Sequence, residues 1–329
     1  MLSVICPIYN EEKYIGGCIE SILAQDYPKD DLEVIFADGM STDRTREIVA
    51  GYTARYPWIR LIDNPKRIVP PALNAAIRAS KGDVIMRIDA HAEYAPNYFS
   101  AIVGAHYRLK ADNIGAVCRT DVLGKSKKAL AIREVLAHPL GVGNSAFRTG
   151  ISEEKEVDTV PFGCWRREVF GKYGFFDERL VRNQDIELSK RILRNGGRIV
   201  IIPETYSTYF ARETFVKLAR NNYGNGLWNI LTVWYTREFN SLSLRHFIPL
   251  IFLLSVLLPA IAGVFWHPLW WLGVASLAAY TSVVGLISAK IAYRKHLNFF
   301  YLVATFFVLH LSYGWGSLVG IFKLLLIKR

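Results

Sequence analysis

Past Glu238 the chain contains no Asp or Glu, and three long apolar segments dominate the remainder. They cover residues 247–266, 269–289 and 297–326. A helix needs about 20 apolar residues to cross the hydrocarbon of a bilayer, so the first two read as spanning helices. The turn between them, "WHPLWW", places Trp266, Trp270 and Trp271 where interfacial aromatic residues belong. The third segment carries His310, Ser312, Tyr313, Gly314, Gly316 and Gly320 near its middle. That is a poor centre for a lipid-facing helix, and irregular backbone at membrane depth survives only under cover. The expectation here is a broken, re-entrant or interfacial helix pair, its middle packed on the domain that precedes the membrane segments and the C-terminus cytosolic, with Lys323, Lys328 and Arg329 on that side.

The net charge of +11 follows the same division. Seven basic residues (Arg245, Lys290, Arg294, Lys295, Lys323, Lys328, Arg329) lie past Glu238, which leaves +4 to the first 238 residues. The basic excess therefore belongs to the membrane segment, where Lys and Arg set topology and meet anionic lipid headgroups. A nucleic-acid partner is not indicated. The four cysteines are scattered through apolar surroundings without a C-x-x-C pair, as in a reduced, cytosol-facing chain. The opening "MLSVICPIYNEE" reads as a first strand rather than a signal peptide.

Residues 1–238 form the other domain, with residues 239–329 as the membrane domain. Apolar runs at 2–8, 32–37, 59–62 and 83–88 alternate with helical patterns at 13–25, 43–56 and 70–80. Alternation at these lengths predicts right-handed βαβ crossovers and a parallel sheet, an α/β fold. Ligands in such sheets bind beyond the carboxyl ends of the strands. "YNEE", "DGMSTD" and "DAH" then share one rim. No G-x-G-x-x-G follows the first strand and no P-loop occurs, which argues against a dinucleotide dehydrogenase or P-loop NTPase. Acidic strand ends suggest diphosphate held through a divalent cation. The bland alternatives are caps and turns: Asp89 before a helix, Asp38 and Asp43 in turn chemistry, Asp185 at a helix N-terminus.

Five stretches in order carry a resemblance: "SVICPIYNEEKYIGGCIESIL", "VIFADGMSTDRTREIV", "LNAAIRASKGDVIMRIDAHAEY", "FGCWRREVFGKYGFFDE" and "RNQDIELSKRI". Together they resemble family 2 glycosyltransferases of the GT-A (Rossmann-like) fold, especially succinoglycan-type exopolysaccharide transferases, over residues 2–226. The resemblance implies a nucleotide-diphospho-sugar donor, with a UDP-sugar expected, and a lipid-linked or membrane-proximal saccharide acceptor. It implies that "DAH" is the metal-binding D-x-D, with His91 in place of the second Asp and Asp89 near ribose and diphosphate. Imidazole suits Mn²⁺ better than Mg²⁺, which tilts the expected metal toward Mn²⁺. Pro7, Tyr9 and Glu11 would belong to the nucleotide-binding first loop, Tyr9 beside the base and Glu11 toward the ribose. Asp38 resembles the Asp that bonds uracil or ribose. Gly163 and Trp165, in the aromatic turn before a helix, and Gln184 would line the sugar and acceptor pocket, Trp165 offering a stacking face. Asp185 falls at the family's catalytic carboxylate, although Gln184 replaces the Glu before it. One carboxylate without a covalent nucleophile implies single displacement with inversion. The Q-x-x-R-W of processive members is absent from "LARNNYGNGLWN", which favours transfer of one sugar. Two alternatives stay open, a polyprenyl-phosphate sugar transferase and a non-catalytic membrane-assembly protein on the same scaffold.

Overall fold

The computed structural model describes residues 1–143, 145–239 and 242–326. Packing separates two compact units, Met1–Arg119 with Ala146–Phe210, and Thr120–Ser145 with Ala211–Arg329. This grouping follows contacts, whereas the division at Glu238 follows composition.

In the first unit the four apolar runs become β1 (Leu2–Ile8), β2 (Leu32–Asp38), β3 (Ile59–Asp63) and β4 (Val84–Arg87), all parallel. Among the described residues they join β5 (Ala92–Tyr94), β6 (Asn113–Asp121), β7 (Lys155–Glu156), β8 (Cys164–Arg166) and β9 (Ile199–Phe210) in one mixed sheet. The order is β3-β2-β1-β4-β8-β6-β9-β5, with β7 on β9. Successive side chains of a strand point to opposite faces. Leu2, Val4, Cys6 and Ile8 accordingly enter one core and Ile5 the other.

Helices cover both faces. In α1 (Ile15–Leu23), Ile15, Cys18, Ile19 and Ile22 recur at helical spacing and all are buried in the first core. Fully burying an aliphatic side chain contributes about 1.5–3 kcal/mol, so this stripe alone fixes the helix to the sheet. α2 (Thr45–Thr53) returns the chain to β3, and α3 (Val69–Ala79) has prolines in its first turn, where no amide donor is lost. α3 lies in the second core with Ala72, Leu73, Ala76 and Ile77. α4 (Tyr98–Leu109) follows β5 on the first face.

The stretch "PFGCW" departs from expectation. Phe162 and Gly163 do make a turn, both at positive φ, but Cys164–Arg166 then forms a strand between β4 and β6. β8 runs antiparallel to β4, with Trp165 opposite Ile85. The three-residue strand was hidden in the sequence by its length.

The second unit begins with α5 (Lys127–Leu136) and α6 (Pro139–Val142). In chain order, α7 (Ala146–Thr149), α8 (Glu168–Tyr173) and α9 (Gln184–Arg194) belong to the first unit. α10 (Phe215–Thr236), α11 (Ile248–Ala262), α12 (Leu269–Lys295) and α13 (Phe299–Leu326) complete the second. Among the described residues three helices are long and apolar enough to cross a membrane: Leu244–Ala262, Leu269–Lys295 and Phe299–Leu326.

α13 corrects the expected break, because it is one continuous helix. Its small residues serve close packing instead. Gly316 lies against the Tyr223 carbonyl, Gly320 against Leu227 and Ile230, and Ser317 Oγ donates to the Gly226 carbonyl at 3.1 Å. Small residues let helix backbones approach where larger ones would hold them apart. His310 is also partnered: its Nε2 is 3.0 Å from the Leu140 carbonyl and its Nδ1 2.8 Å from the Tyr280 hydroxyl. A carbonyl only accepts, so Nε2 carries the proton and Nδ1 accepts from Tyr280. Of the three apolar stretches α13 is the most enclosed, with 39% buried against 17% in each of the others. The cover comes from α10 and the α5–α6 segment, which the compositional division had placed in the catalytic domain. The charge argument on Lys328 and Arg329 concerns residues outside the described ones.

A Cβ at Gly226 would run into the Tyr313 carbonyl oxygen. Gly226→Leu is therefore expected to destabilise the second unit by about 1–3 kcal/mol, the usual cost of overpacking. Denaturation of purified protein in detergent reads this directly, and an unchanged midpoint would contradict the close α10–α13 contact.

Candidate active site

Strand register fixes the rim. Ile8 pairs with Asp38 and Ile5 with Arg87, so the loops after β1, β2 and β4 leave the sheet side by side. The first two loops are stitched together. The amide of Asn10 donates to Ser41 Oγ, that of Glu11 to Thr45 Oγ1 and that of Glu12 to Asp43, while Asn10 Oδ1 accepts from the Thr42 amide. Asn10 takes a positive φ of 54°, tolerable for Asn. Asp43 also accepts from the Thr45 amide and hydroxyl at the entry to α2, so its turn chemistry is realised.

Asp38 is fully buried. Its oxygens accept from the Ser41 amide and hydroxyl and from Arg46 Nη1 at 2.6 Å, and Arg46 reaches on to Asp63. Its visible work is to hold this loop. Tyr9 is 46% exposed beside Gly39, and Pro7 lies half-buried at the strand end.

Beyond β4, the backbone of Asp89 is held by Tyr94, whose hydroxyl takes the Asp89 amide at 2.8 Å. Its carboxylate meets Arg87 in a two-pronged contact, Nε to Oδ1 at 3.0 Å and Nη2 to Oδ2 at 3.2 Å. Arg87 is only 7% exposed, and its Nη1 lies 4.0 Å from Asp185. Burial works against the guanidinium charge, but the two carboxylates outweigh it and raise its pKa further above the usual value. Asp185 sits in the first turn of α9, after Asn183 at a positive φ of 63°, and its side chain is 35% exposed. The helix N-terminus favours a negative charge there. Residues almost one hundred positions apart thus meet through one cation.

His91 faces Glu11, with Nδ1 3.2 Å from Oε1, and Tyr209 sits edge-on to its ring at 5.0 Å. In this structure the Glu11 carboxylate meets the imidazole. A carboxylate on Nδ1 fixes the tautomer that presents a lone pair at Nε2, the second-shell arrangement common at metal-binding histidines. Among the described residues no three His, Cys, Asp or Glu gather to hold a metal by themselves. The candidate donors are two, the Asp89 carboxylate, whose oxygens also accept from Arg87, and His91 Nε2, so a cation there would need its remaining ligands from phosphate and water.

The remaining expected residues sit deeper. Trp165 is 2% exposed and packed edge-on by Phe170 and Phe176, so its faces are closed to a sugar in this conformation. Gly163 has φ 99° and a Cβ there would collide with the Trp165 ring, while its carbonyl accepts from the Arg87 amide at 2.9 Å. Gln184 is buried at the start of α9. Arg87, Arg46, Asn10 and Tyr209 were missed by sequence reasoning. Arg87 alone left a signal, a cation inside the apolar run "VIMRI".

The family model described as Glycosyl transferase family 2 matches residues 3–174. Succinoglycan biosynthesis protein ExoA of Rhizobium meliloti (strain 1021) is 32% identical over 225 residues, 68% of this chain and 67% of that protein. A Methanococcus voltae protein, dolichyl N-acetyl-alpha-D-glucosaminyl phosphate 3-beta-D-2,3-diacetamido-2,3-dideoxy-beta-D-glucuronosyltransferase, is 26% identical over 267 residues, 78% of this chain and 81% of its own. Among solved structures, mannosyltransferase PcManGT from Pyrobaculum calidifontis, in complex with GDP-Man and Mn²⁺, aligns with a TM-score of 0.59 at 19% identity. That alignment covers 98% of this chain and 87% of the other, and it shows a shared fold, the GT-A-like mixed sheet.

Proposed function

This chain belongs to glycosyl transferase family 2, and on that premise we propose that it is an inverting, metal-assisted, membrane-anchored transferase. It moves one sugar from a nucleotide-diphospho-sugar, a UDP-sugar first among them, to a lipid-linked or membrane-proximal saccharide. The product belongs to extracellular polysaccharide or glycan synthesis. The observation that carries this reading is the convergence of Asp89 and Asp185 on Arg87 at the carboxyl ends of the strands. The two relatives support the acceptor class, one being named for succinoglycan biosynthesis and the other for transfer to a dolichyl-linked sugar phosphate.

In this mechanism Asp185 takes the proton of the acceptor hydroxyl as that oxygen attacks the anomeric carbon. No second carboxylate is assigned as a nucleophile, so the configuration inverts in a single displacement. Asp89 and His91 would hold a divalent metal, which when bound would supply charge neutralisation to the leaving diphosphate. Glu11 keeps the His91 ring oriented, and the loop anchored by Asp38 shapes the nucleotide end of the site. Nucleotide sugars are cytosolic, so residues 1–238 lie on the cytosolic side. Lys290, Arg294 and Lys295 at the end of α12 then obey the positive-inside rule.

The test is a panel of nucleotide sugars incubated with membranes containing the protein, followed by mass analysis of the lipid fraction. A lipid-linked saccharide heavier by one sugar, of inverted anomeric configuration, is expected. Transfer only to polyprenyl phosphate would reassign the acceptor. No transfer from any donor would leave the protein as a non-catalytic scaffold.

A further inference from the structure

The transfer mechanism gives Arg87 no task, yet its surroundings are unusual. Both oxygens of Asp89 are bonded to its guanidinium, at 3.0 and 3.2 Å. The side chain is almost fully enclosed, its backbone amide is tied to Gly163, and Asp185 faces Nη1 from the other side. Nη1 itself is buried without a hydrogen-bond acceptor among the described residues. The cation cannot swing into solvent, so a fixed positive charge lies on the carboxylate that would receive the metal.

We propose that Arg87 makes metal entry conditional on the nucleotide diphosphate. The inference rests on the transferase reading. A dication bound to Asp89 shares that carboxylate with the guanidinium, and like charges on one ligand oppose each other strongly in a partly desolvated site. Arg87 also cancels one of the three carboxylate charges supplied by Glu11, Asp89 and Asp185. The protein alone is thus a weak cation site, in keeping with its two available donors. A diphosphate brings both ligand oxygens and the negative charge that outweighs Arg87. Metal and donor therefore enter together, and metal and nucleotide diphosphate leave together after transfer. Arg87 is a positioning residue in this scheme: it acts through Asp89 and sets the order of loading.

The experiment is a Mn²⁺ titration of the full-length protein in detergent, followed by the paramagnetic resonance of free Mn²⁺, with and without UDP and in parallel GDP. Wild-type protein should bind bare Mn²⁺ at least about tenfold more weakly than Mn²⁺ with its nucleotide. Arg87→Met should tighten bare Mn²⁺ binding by about tenfold and shrink the nucleotide dependence. Arg87→Gln, which keeps a donor toward Asp89 but no charge, should behave like Arg87→Met and gives a second route if the first variant folds poorly. Arg87→Lys keeps the charge and should retain wild-type order. If folded neutral variants bind bare Mn²⁺ no tighter than wild type, or if Arg87→Lys behaves like them, the inference is overturned and Arg87 is a structural fork. If wild-type protein binds neither nucleotide at any Mn²⁺ concentration, the transferase reading fails, and the loading order falls with it.

Discussion

Asp185→Asn is expected to lower sugar transfer by about 10²–10⁴-fold, the usual contribution of a general base, while nucleotide affinity stays nearly unchanged. The substitution is close to isosteric. The amide oxygen of Asn can still accept from the Ile186 amide, the bond Asp185 makes at 2.9 Å in the first turn of α9. Arg87 keeps Asp89 as its counter-ion, so the buried cation is not stranded. What disappears is the proton acceptor, together with the second carboxylate charge 4.0 Å from Arg87. Product formed in a single turnover, compared with UDP binding under the same conditions, separates the two effects. Lost nucleotide affinity with an unchanged rate at saturation would make Asp185 a donor ligand instead. Full activity of the variant toward a lipid phosphate, an acceptor that needs no strong base, would favour polyprenyl-phosphate transfer. A product of retained configuration would overturn single displacement itself.

The parts of this protein that were legible in its sequence are those governed by repetition. β1 carries alternating side chains into two cores, and α1 repeats its apolar residues at helical spacing, so both elements announce themselves over seven or more residues. The strand ends then put the "DAH" and "ADGMSTD" loops on one rim without further information. Local pattern fails where a partner distant in sequence decides the outcome. Trp165 looks like an exposed stacking platform in "FGCW", yet Phe170 and Phe176 enclose it once β8 inserts beside β4. The glycines of α13 look like a break until α10 supplies the backbone they pack against. Glu11 reads from its motif as a carboxylate directed at ribose, and only the fold adds His91 from eighty positions away. Arg87 is the instructive case. A lone cation in a buried strand demands a counter-charge, and the sequence placed one two residues later at Asp89, but only the fold adds Asp185.

Asp89→Asn is expected to cost at least about two orders of magnitude in transfer, on the scale of losing one electrostatic contact to the transition state. Two consequences are combined in that number, and the structure says how to separate them. The variant loses a metal ligand, and it also removes the bidentate partner of a guanidinium that is 7% exposed. Breaking a buried ion pair from one side costs about 3–5 kcal/mol, so the variant should also denature at milder conditions than wild type. Asp185, at 4.0 Å from Nη1, offsets part of that loss but cannot replace the two hydrogen bonds. Excess chelator applied to wild-type protein removes the metal without touching the pair. It should reduce transfer by a comparable factor with no change in the unfolding midpoint, and added Mn²⁺ should restore activity more fully than Mg²⁺, because His91 contributes a nitrogen donor. In Asp89→Asn neither metal should restore the rate. Full turnover of wild-type protein in excess chelator would remove the metal from the mechanism, and leave Asp89 as the structural counter-ion of Arg87.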